Sequence, residues 1–465
     1  MGKIKFGTDG WRDLMYDRFN LENVRRVVEA IGAYTKKEGG AARGLVVGYD
    51  ARFFSDFFSA EAGRILASKG IKTYTFSRDL PTPVVAYAVL KYNAFGAIMF
   101  TASHNPPAYN GIKFIPEYGG PATPEITGAI EGLISERAPK VVNQKEEEIV
   151  DPIPSYLHEL KKLVDVQVIK DSDLEIGYDP MYGTGREILD GLLEADVKTI
   201  HNYRDPLFGG GMPDPQEKLL PELISWVKGG SAQGKKRIGL ATDGDADRFG
   251  FVDDYGNYLN ANQILPLILY HLATNKGMKG VVGRSVATTH LLDALASDLG
   301  LETVETPVGF KYLGELMRER QVVVVGEESG GLSIGGHIPE KDGILACALL
   351  TELRVMAEKP LTYVLQDIWD RVGSYYTRRL DLHLKEEEKT KILNFLERAP
   401  LQEIAGKKVT EIRRIDGFKF ILSDGGWCLV RPSGTESLIR IYLEAHTEQD
   451  LAKMSESIQS ILGKM

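Results

Sequence analysis

Three stretches of this chain repeat one plan, and that repetition constrains the fold more than any single motif does. Each opens on a short apolar run that ends in a turn and leads into a helical pattern: Leu45-Val-Val-Gly-Tyr-Asp50, Leu174-Glu-Ile-Gly-Tyr-Asp179 and Val281-Val-Gly-Arg284. Each then has a second apolar run that empties into a small, polar loop. Ala97-Ile-Met-Phe100 leads into Thr101-Ala-Ser-His-Asn-Pro106, Ile238-Gly-Leu240 into Asp243-Gly-Asp-Ala-Asp-Arg248, and Val322-Val-Val-Val325 into Gly326-Glu-Glu-Ser-Gly-Gly331. Uninterrupted apolar runs separated by helical stretches are the signature of strands buried on both faces of an α/β sheet. Ligands of such sheets bind beyond the carboxyl ends of the strands, and all three polar loops fall there. The pattern predicts three similar α/β/α domains with mixed sheets, arranged around one central cleft.

The end of the chain breaks the plan. Tyr375-Tyr-Thr-Arg-Arg-Leu380, Val409-Thr-Glu-Ile-Arg413, Phe418-Lys-Phe-Ile-Leu422 and Trp427-Cys-Leu-Val430 read as strands around a helix near Glu386–Arg398, with a closing amphipathic helix near Glu448–Leu462. This predicts a separate C-terminal α+β domain. The acidic, polar stretch Val141–Asp151 and the turn Asp253-Asp-Tyr-Gly-Asn257 mark boundaries. The expected domains are 1–150, 151–256, 257–370 and 371–465, in keeping with roughly 100–200 residues per domain.

Bulk properties exclude several functions. A formal net charge of −9 offers no basic excess to neutralise a nucleic-acid backbone, whereas local Arg and Lys can still hold a small anion. The two cysteines, Cys347 and Cys428, have neither disulfide-framework nor metal-binding spacing. The N-terminus lacks an apolar signal region, and no run approaches the ~20 apolar residues that span a bilayer. The chain reads as a soluble, cytoplasmic monomer or small homo-oligomer without membrane or nucleic-acid partners. No GxxxxGK[ST] sequence occurs, and Gly183-Thr-Gly185 lacks the third glycine of a dinucleotide fingerprint.

Chemistry concentrates in the loops. Asp243, Asp245 and Asp247 alternate, so an extended segment would point all three carboxylates to one side. They repel one another unless a cation neutralises them, and an all-oxygen set suits a hard ion, Mg²⁺ before Ca²⁺ or Mn²⁺. A solvated acidic turn is the alternative. Ser103 follows a buried strand, with His104 and Lys113 near in sequence, but a serine hydroxyl needs a base, a metal or prior phosphorylation to react, and taken alone this loop reads as a simple turn with Pro106 and Pro107. Arg431-Pro-Ser-Gly-Thr-Glu436 joins a planar fork of donors to the hydroxyls and backbone N–H groups of Ser433, Gly434 and Thr435, an arrangement suited to phosphate. A hairpin turn with flanking charges is the plainer reading. Glu327 and Ser329 stand at the mouth of the all-valine strand, where carboxylates suit sugar hydroxyls as paired acceptors; a glutamate satisfied by loop backbone is the alternative.

Taken together and in this order, the four loops resemble the α-D-phosphohexomutase superfamily, which includes phosphoglucomutase, phosphomannomutase and phosphoglucosamine mutase. The resemblance runs from Gly7-Thr-Asp-Gly-Trp-Arg12 to Arg431-Pro-Ser-Gly-Thr-Glu436 and takes in Phe208-Gly-Gly and Pro213-Asp-Pro215. It implies a phosphoserine at Ser103 and Mg²⁺ held by Ser103, Asp243, Asp245 and Asp247. Glu327 and Ser329 would read the sugar, and Arg431, Ser433, Gly434 and Thr435 would hold the non-reacting phosphate. The implied reaction interconverts hexose 1-phosphate and hexose 6-phosphate, glucose first and mannose second, through a bisphosphorylated sugar, with hexose 1,6-bisphosphate as activator. Arg248 would stabilise the transferring group. Lys113 is the candidate base, provided neighbouring cations depress its pKa, with Arg12 and His104 in support.

Two departures from the family pattern stand out, one in the sugar loop and one, affecting stiffness more than chemistry, in the phosphate loop. Glu327-Glu-Ser-Gly-Gly331 lacks the methionine and closing histidine of many phosphomannomutase-type members, while Gly336-His-Ile-Pro-Glu-Lys-Asp-Gly343 looks more like phosphoglucomutases. His337 and Lys341 are therefore expected at the substrate, a satisfied turn histidine being the alternative for His337. Ser437 stands where proline is common. Phosphoglucosamine mutase and sugar-phosphate phosphatase are the alternative activities. A non-catalytic paralogue is disfavoured by the intact Ser103 and three aspartates.

Overall fold

A computed structural model describes residues 4–7, 9–139, 147–433 and 438–463. The apolar runs form the centres of three mixed sheets. In the first, the strand order is Trp11–Leu14, Tyr109–Pro116, Gly96–Phe100, Leu45–Tyr49, Thr73–Thr75, Glu147–Ile149. The second runs Tyr258–Leu259, Phe249–Val252, Arg237–Thr242, Glu175–Asp179, Val197–Thr199, and the third Thr303–Thr306, Val281–Ser285, Val322–Gly326, Leu332–Ile334. Part of the stretch read as a boundary is thus a strand, since Glu147–Ile149 pairs in parallel with Thr73–Thr75.

The three polar loops share one topological position. Gly96–Phe100, Arg237–Thr242 and Val322–Gly326 each run parallel to a neighbour on one side and antiparallel on the other to the strand that follows the loop. Each loop is therefore the tip of a hairpin. A hairpin needs only a short connection, whereas a parallel return needs a crossover, so the loop residues stay at the carboxyl end of a buried strand.

Packing ties these sheets together. One apolar cluster includes Val46 and Met99 of the first sheet, Ile176 and Leu240 of the second, and Val323 and Val324 of the third. The helix Gly343–Ala357 is buried along most of its length, from Ile344 to Leu353. Although it comes from the third segment, it packs against Arg237–Thr242 and Phe249–Val252 of the second sheet, and Cys347 Sγ lies 3.6 Å from Ala241 O. A helix apolar all round has to be enclosed, and two domains enclose this one.

The C-terminal sheet is antiparallel throughout, in the order Tyr376–His383, Leu438–Ala445, Trp427–Pro432, Phe418–Leu422, Lys407–Arg413, Glu403–Ile404. Helices Glu386–Arg398 and Glu448–Leu462 cover one face, closing a separate core of Leu396, Met454, Phe420, Val430 and Ile441. No helix among the described residues is long and apolar enough to cross a membrane.

Candidate active site

Ser103 caps the strand Gly96–Phe100 in a left-handed conformation, φ 50°, its amide donating to Thr101 Oγ1 at 2.8 Å. The loop is pinned from below by Arg52, which is fully buried. Arg52 Nη2 donates to the carbonyls of Ser103 and Asn105, both at 2.6 Å, and Nη1 to those of Pro106 and Tyr109 at 2.9 and 3.0 Å. Its charge is balanced by Asp50, whose Oδ2 lies 3.1 Å from Nε. A buried guanidinium is tolerable only when paired and fully hydrogen-bonded, and this one spends its donors on the loop that carries the serine. Asp50 ends the Gly-Tyr-Asp run already noted, so the first half of the signal was in the sequence.

Asp243, Asp245 and Asp247 face Ser103, are all buried, and each offers an oxygen within 4.8 Å of the others. They converge through a turn rather than along an extended segment. Ala246 has φ 55° and its amide donates to Asp243 O at 3.0 Å, which corrects the expected strand-like alternation. Ser103 Oγ donates to Asp243 Oδ2 at 2.8 Å, and Arg248 N to Oδ1 at 3.0 Å. Thr82 Oγ1 and Lys113 Nζ reach Asp245 Oδ2 at 2.7 and 3.0 Å. Asp245 Oδ1 and Asp247 Oδ1 are buried and have no hydrogen-bond partner among the described residues. Burial, then Asp245 and Asp247, push the Asp243 carboxyl well above its ordinary range. For Asp245 burial pulls the same way, but Lys113 and the Thr82 hydroxyl outweigh it and hold the group below that range. Unpaired buried oxygens beside mutually repelling carboxylates fit a hard divalent cation, the chemistry of which is to neutralise a transferring phosphoryl group.

The expectation for Lys113 needs correcting. Its neighbours are carboxylates: Asp9 and Asp245 at 3.0 Å and Asp247 at 2.8 Å. Burial works against the ammonium, yet these three carboxylates outweigh it and hold the pKa well above that of an ordinary lysine. In this arrangement Lys113 is a buried cation ringed by carboxylates, not the lysine among cations that was expected. Lys341 joins it, with Nζ 3.3 Å from Asp247, 3.4 Å from Asp9 and 3.1 Å from Glu340. Arg12 reaches Asn105 Oδ1 at 3.1 Å and Asp9 at 3.6 Å. His104 Nδ1 is 3.2 Å from Ser103 Oγ, and burial followed by Arg248 and Arg12 keeps the ring neutral far below the usual histidine pKa. Asp9, Thr82 and Glu340 were not singled out from the sequence; Thr82 meets Asp245, and Asp9 meets Lys341, only across domains.

The sugar loop meets the metal loop through backbone. Arg248 and Gly331 form an isolated antiparallel bridge, and Phe249 N donates to Gly330 O at 3.3 Å. Arg248 thereby faces Asp214, Asp243, Asp247 and Glu327, which sustain its charge against burial. Glu327 is buried and accepts from Gly309 N at 2.8 Å; burial and then Glu328 push its carboxyl up to about 7. Ser329 is half-buried beside it. His337 is drawn elsewhere: its Nε2 lies 2.8 Å from Asp342 Oδ2, which also accepts from Tyr156 at 2.7 Å. Its side chain is 4% exposed, so here it is the satisfied turn histidine and not a group offered to the cleft.

Arg431 is buried, with Nε 2.7 Å from Asp416 Oδ2, and the same oxygen accepts from Val308 N at 3.1 Å. Ser433 N donates to Leu438 O at 3.0 Å, and Lys389 Nζ to Ser433 O at 2.9 Å. Gly434 and Thr435, expected in the phosphate loop, lie outside the described residues.

Four family models cover nearly the whole chain. They are the phosphoglucomutase/phosphomannomutase α/β/α domains I, II and III, matched at residues 3–140, 154–256 and 260–372, and the C-terminal domain, matched at 384–460. The chain belongs to the phosphoglucomutase/phosphomannomutase family. It is thus a member of the α-D-phosphohexomutase superfamily, intramolecular phosphotransferases that act as isomerases. A phosphoglucomutase/phosphomannomutase of Thermococcus kodakarensis is 31% identical over 97% of this chain and 96% of its own length. A protein of Pyrococcus furiosus described as a probable phosphoglucosamine mutase is also 31% identical, over 99% and 98%. A crystal structure from Thermus thermophilus, provisionally described as a phosphomannomutase, superposes with a TM-score of 0.88 at 32% identity, covering 99% of each chain. The loop of Ser103 and the loop of Glu327 each come within hydrogen-bonding distance of the aspartate loop that lies between them.

Proposed function

We propose that this chain interconverts hexose 1-phosphate and hexose 6-phosphate through a phosphoserine at Ser103, with Mg²⁺ as the metal. The domains 1–150, 151–256, 257–370 and 371–465 each supply one loop. One observation carries the reading: Ser103 Oγ stands 2.8 Å from Asp243 Oδ2, beside two buried carboxylate oxygens with no partner among the described residues. The first transfer breaks the Ser103 Oγ–phosphorus bond, forms a sugar oxygen–phosphorus bond, and moves one proton from the sugar hydroxyl to Oγ; the second breaks the other sugar oxygen–phosphorus bond, re-forms the bond to Oγ, and moves one proton from Oγ to that sugar oxygen. His104 Nδ1, neutral and 3.2 Å from Oγ, sits at the serine end of that path. Arg248, Lys113 and Lys341 carry the positive charge that a metaphosphate-like transition state requires. Glu327 and Ser329 bind the sugar hydroxyls, and Arg431 with Ser433, Gly434 and Thr435 holds the phosphate that is not reacting. After the first transfer the bisphosphorylated sugar turns over and returns its other phosphate to Ser103. Added hexose 1,6-bisphosphate should therefore activate unphosphorylated enzyme.

Glucose phosphate is our first assignment and mannose phosphate the second, on the phosphoglucomutase-like sugar loop. The names borne by relatives such as the Pyrococcus furiosus protein support glucosamine phosphate as a second reading. The test is ³¹P NMR of the three hexose 1-phosphates with Mg²⁺ and trace glucose 1,6-bisphosphate. The expected result is conversion to 6-phosphates, fastest for glucose. Inorganic phosphate as the sole product would overturn the mutase reading.

A further inference from the structure

A second concentration of buried charge lies outside the cleft, where the C-terminal sheet rests on the third domain. On the strand Trp427–Pro432, Cys428 and Val430 turn into the domain's own core. The alternate residues Trp427 and Leu429 turn the other way and pack on Val286, Ala287 and Val308 with Tyr442 and Ile421. In the pairing register Lys419 stands opposite Leu429, and Glu444 opposite Trp427. Lys419 is wholly buried. Its Nζ lies 2.8 Å from Val286 O, 2.9 Å from His290 Nε2 and 3.0 Å from Glu305 Oε2, with the Trp427 ring centre at 4.2 Å. Glu444 accepts from Trp427 Nε1 at 2.6 Å and from His290 N at 3.1 Å.

All three hydrogen-bond partners of the Lys419 ammonium belong to the third domain. An apolar side chain at such an interface position is often as stabilising as a buried ion, so stability alone does not call for a lysine. What an ammonium adds is direction. Three donors on three fixed acceptors define one docked position, whereas apolar surfaces tolerate sliding. Arg431 lies on the same face of the same strand, two residues beyond Leu429 and thus roughly 7 Å along it. A shift at the Lys419 anchor is therefore carried by a hydrogen-bonded sheet straight to Arg431.

We propose that Lys419 is a positioning residue for the phosphate clamp, registering the C-terminal sheet on the third domain so that Arg431 stands at the correct height over the cleft. This rests on the reading of Arg431 as a phosphate ligand. The test is a double-mutant cycle with Lys419→Met and Arg431→Ala, reading KM and kcat for glucose 1-phosphate and the Mg²⁺ dissociation constant. Lys419→Met should raise KM by about tenfold or more, as small misplacements of binding groups do, and leave Mg²⁺ affinity unchanged. In the Arg431→Ala background the same change should add less than about twofold, because residues that act through one another are not additive. Equal effects in both backgrounds, or a normal KM for Lys419→Met beside a raised KM for Arg431→Ala, would overturn the role of Lys419 alone. A normal KM for Arg431→Ala would overturn the clamp reading and this inference with it. Lys419→Leu, which likewise removes every donor, serves in the same cycle with the same criteria if Lys419→Met does not fold.

Discussion

Gly309 donates its amide to the Glu327 carboxylate at 2.8 Å, while the preceding amide, on Val308, donates to the Asp416 carboxylate that holds Arg431. Two adjacent N–H groups of one turn thus orient the sugar loop and the phosphate loop together. Gly309 has φ 128°, a conformation that side chains rarely adopt. Gly309→Ala should cost about 1–3 kcal/mol of strain and raise KM for hexose phosphates. Steady-state kinetics beside thermal unfolding check it; an unchanged KM would separate the two loops.

Thr82 comes from the first domain and Asp245 from the second, yet they make two contacts, amide to carbonyl at 2.9 Å and hydroxyl to carboxylate at 2.7 Å. The hydroxyl occupies Oδ2, while Oδ1 stays without a partner among the described residues. Thr82→Val should weaken Mg²⁺ binding by about 10–100-fold, the usual loss when a ligand's own partner is removed, whereas Thr82→Ser should restore it. Calorimetric titration with Mg²⁺ reads this without turnover.

Arg52→Met should be among the most damaging single changes. It strands Asp50 as a buried charge and frees four loop carbonyls at once, a loss of roughly 3–5 kcal/mol. Denaturant unfolding gives the stability. Mass spectrometry after incubation with glucose 1,6-bisphosphate should show slower phosphorylation of Ser103 even where the fold persists.

Glu327 predicts a pH slope. Burial, then Glu328, raise its carboxyl from 4.5 to about 7 in the folded protein. Between those values the folded chain holds a proton that the unfolded chain has released, so this residue's contribution falls as pH rises through that window. Glu327→Gln should flatten the fall, and the variant should gain on the parent between pH 5 and 7 in matched melts. The same variant should bind the sugar about 5- to 150-fold more weakly, the range for an unpaired polar partner.

The elements and loops were legible because their signals are local. A valine run followed by glycine and glutamate, or aspartates at alternate positions, can be read from neighbours in the chain. The environment of Lys113 was not, since the Asp9, Asp245 and Asp247 carboxylates that reverse its expected shift come from distant segments. Arg52 was overlooked for the same reason: its carbonyl partners are more than fifty residues away. His337 misled in the other direction, its motif suggesting substrate while Asp342, five residues on, had already claimed it.

The helix Gly343–Ala357 has a consequence for how the protein is made. It closes over the sheet that begins at Glu175–Asp179, although roughly three-quarters of the chain must leave the ribosome before it exists. Chains generally fold from the N-terminus as they emerge, and the first sheet, with an apolar cluster of its own around Val27, Phe58 and Ile112, can do so. The aspartate-bearing sheet can close only one face early, around Leu223 and Val227: until translation has passed residue 357, the face that this helix covers is open to water and to whatever chaperone meets it there.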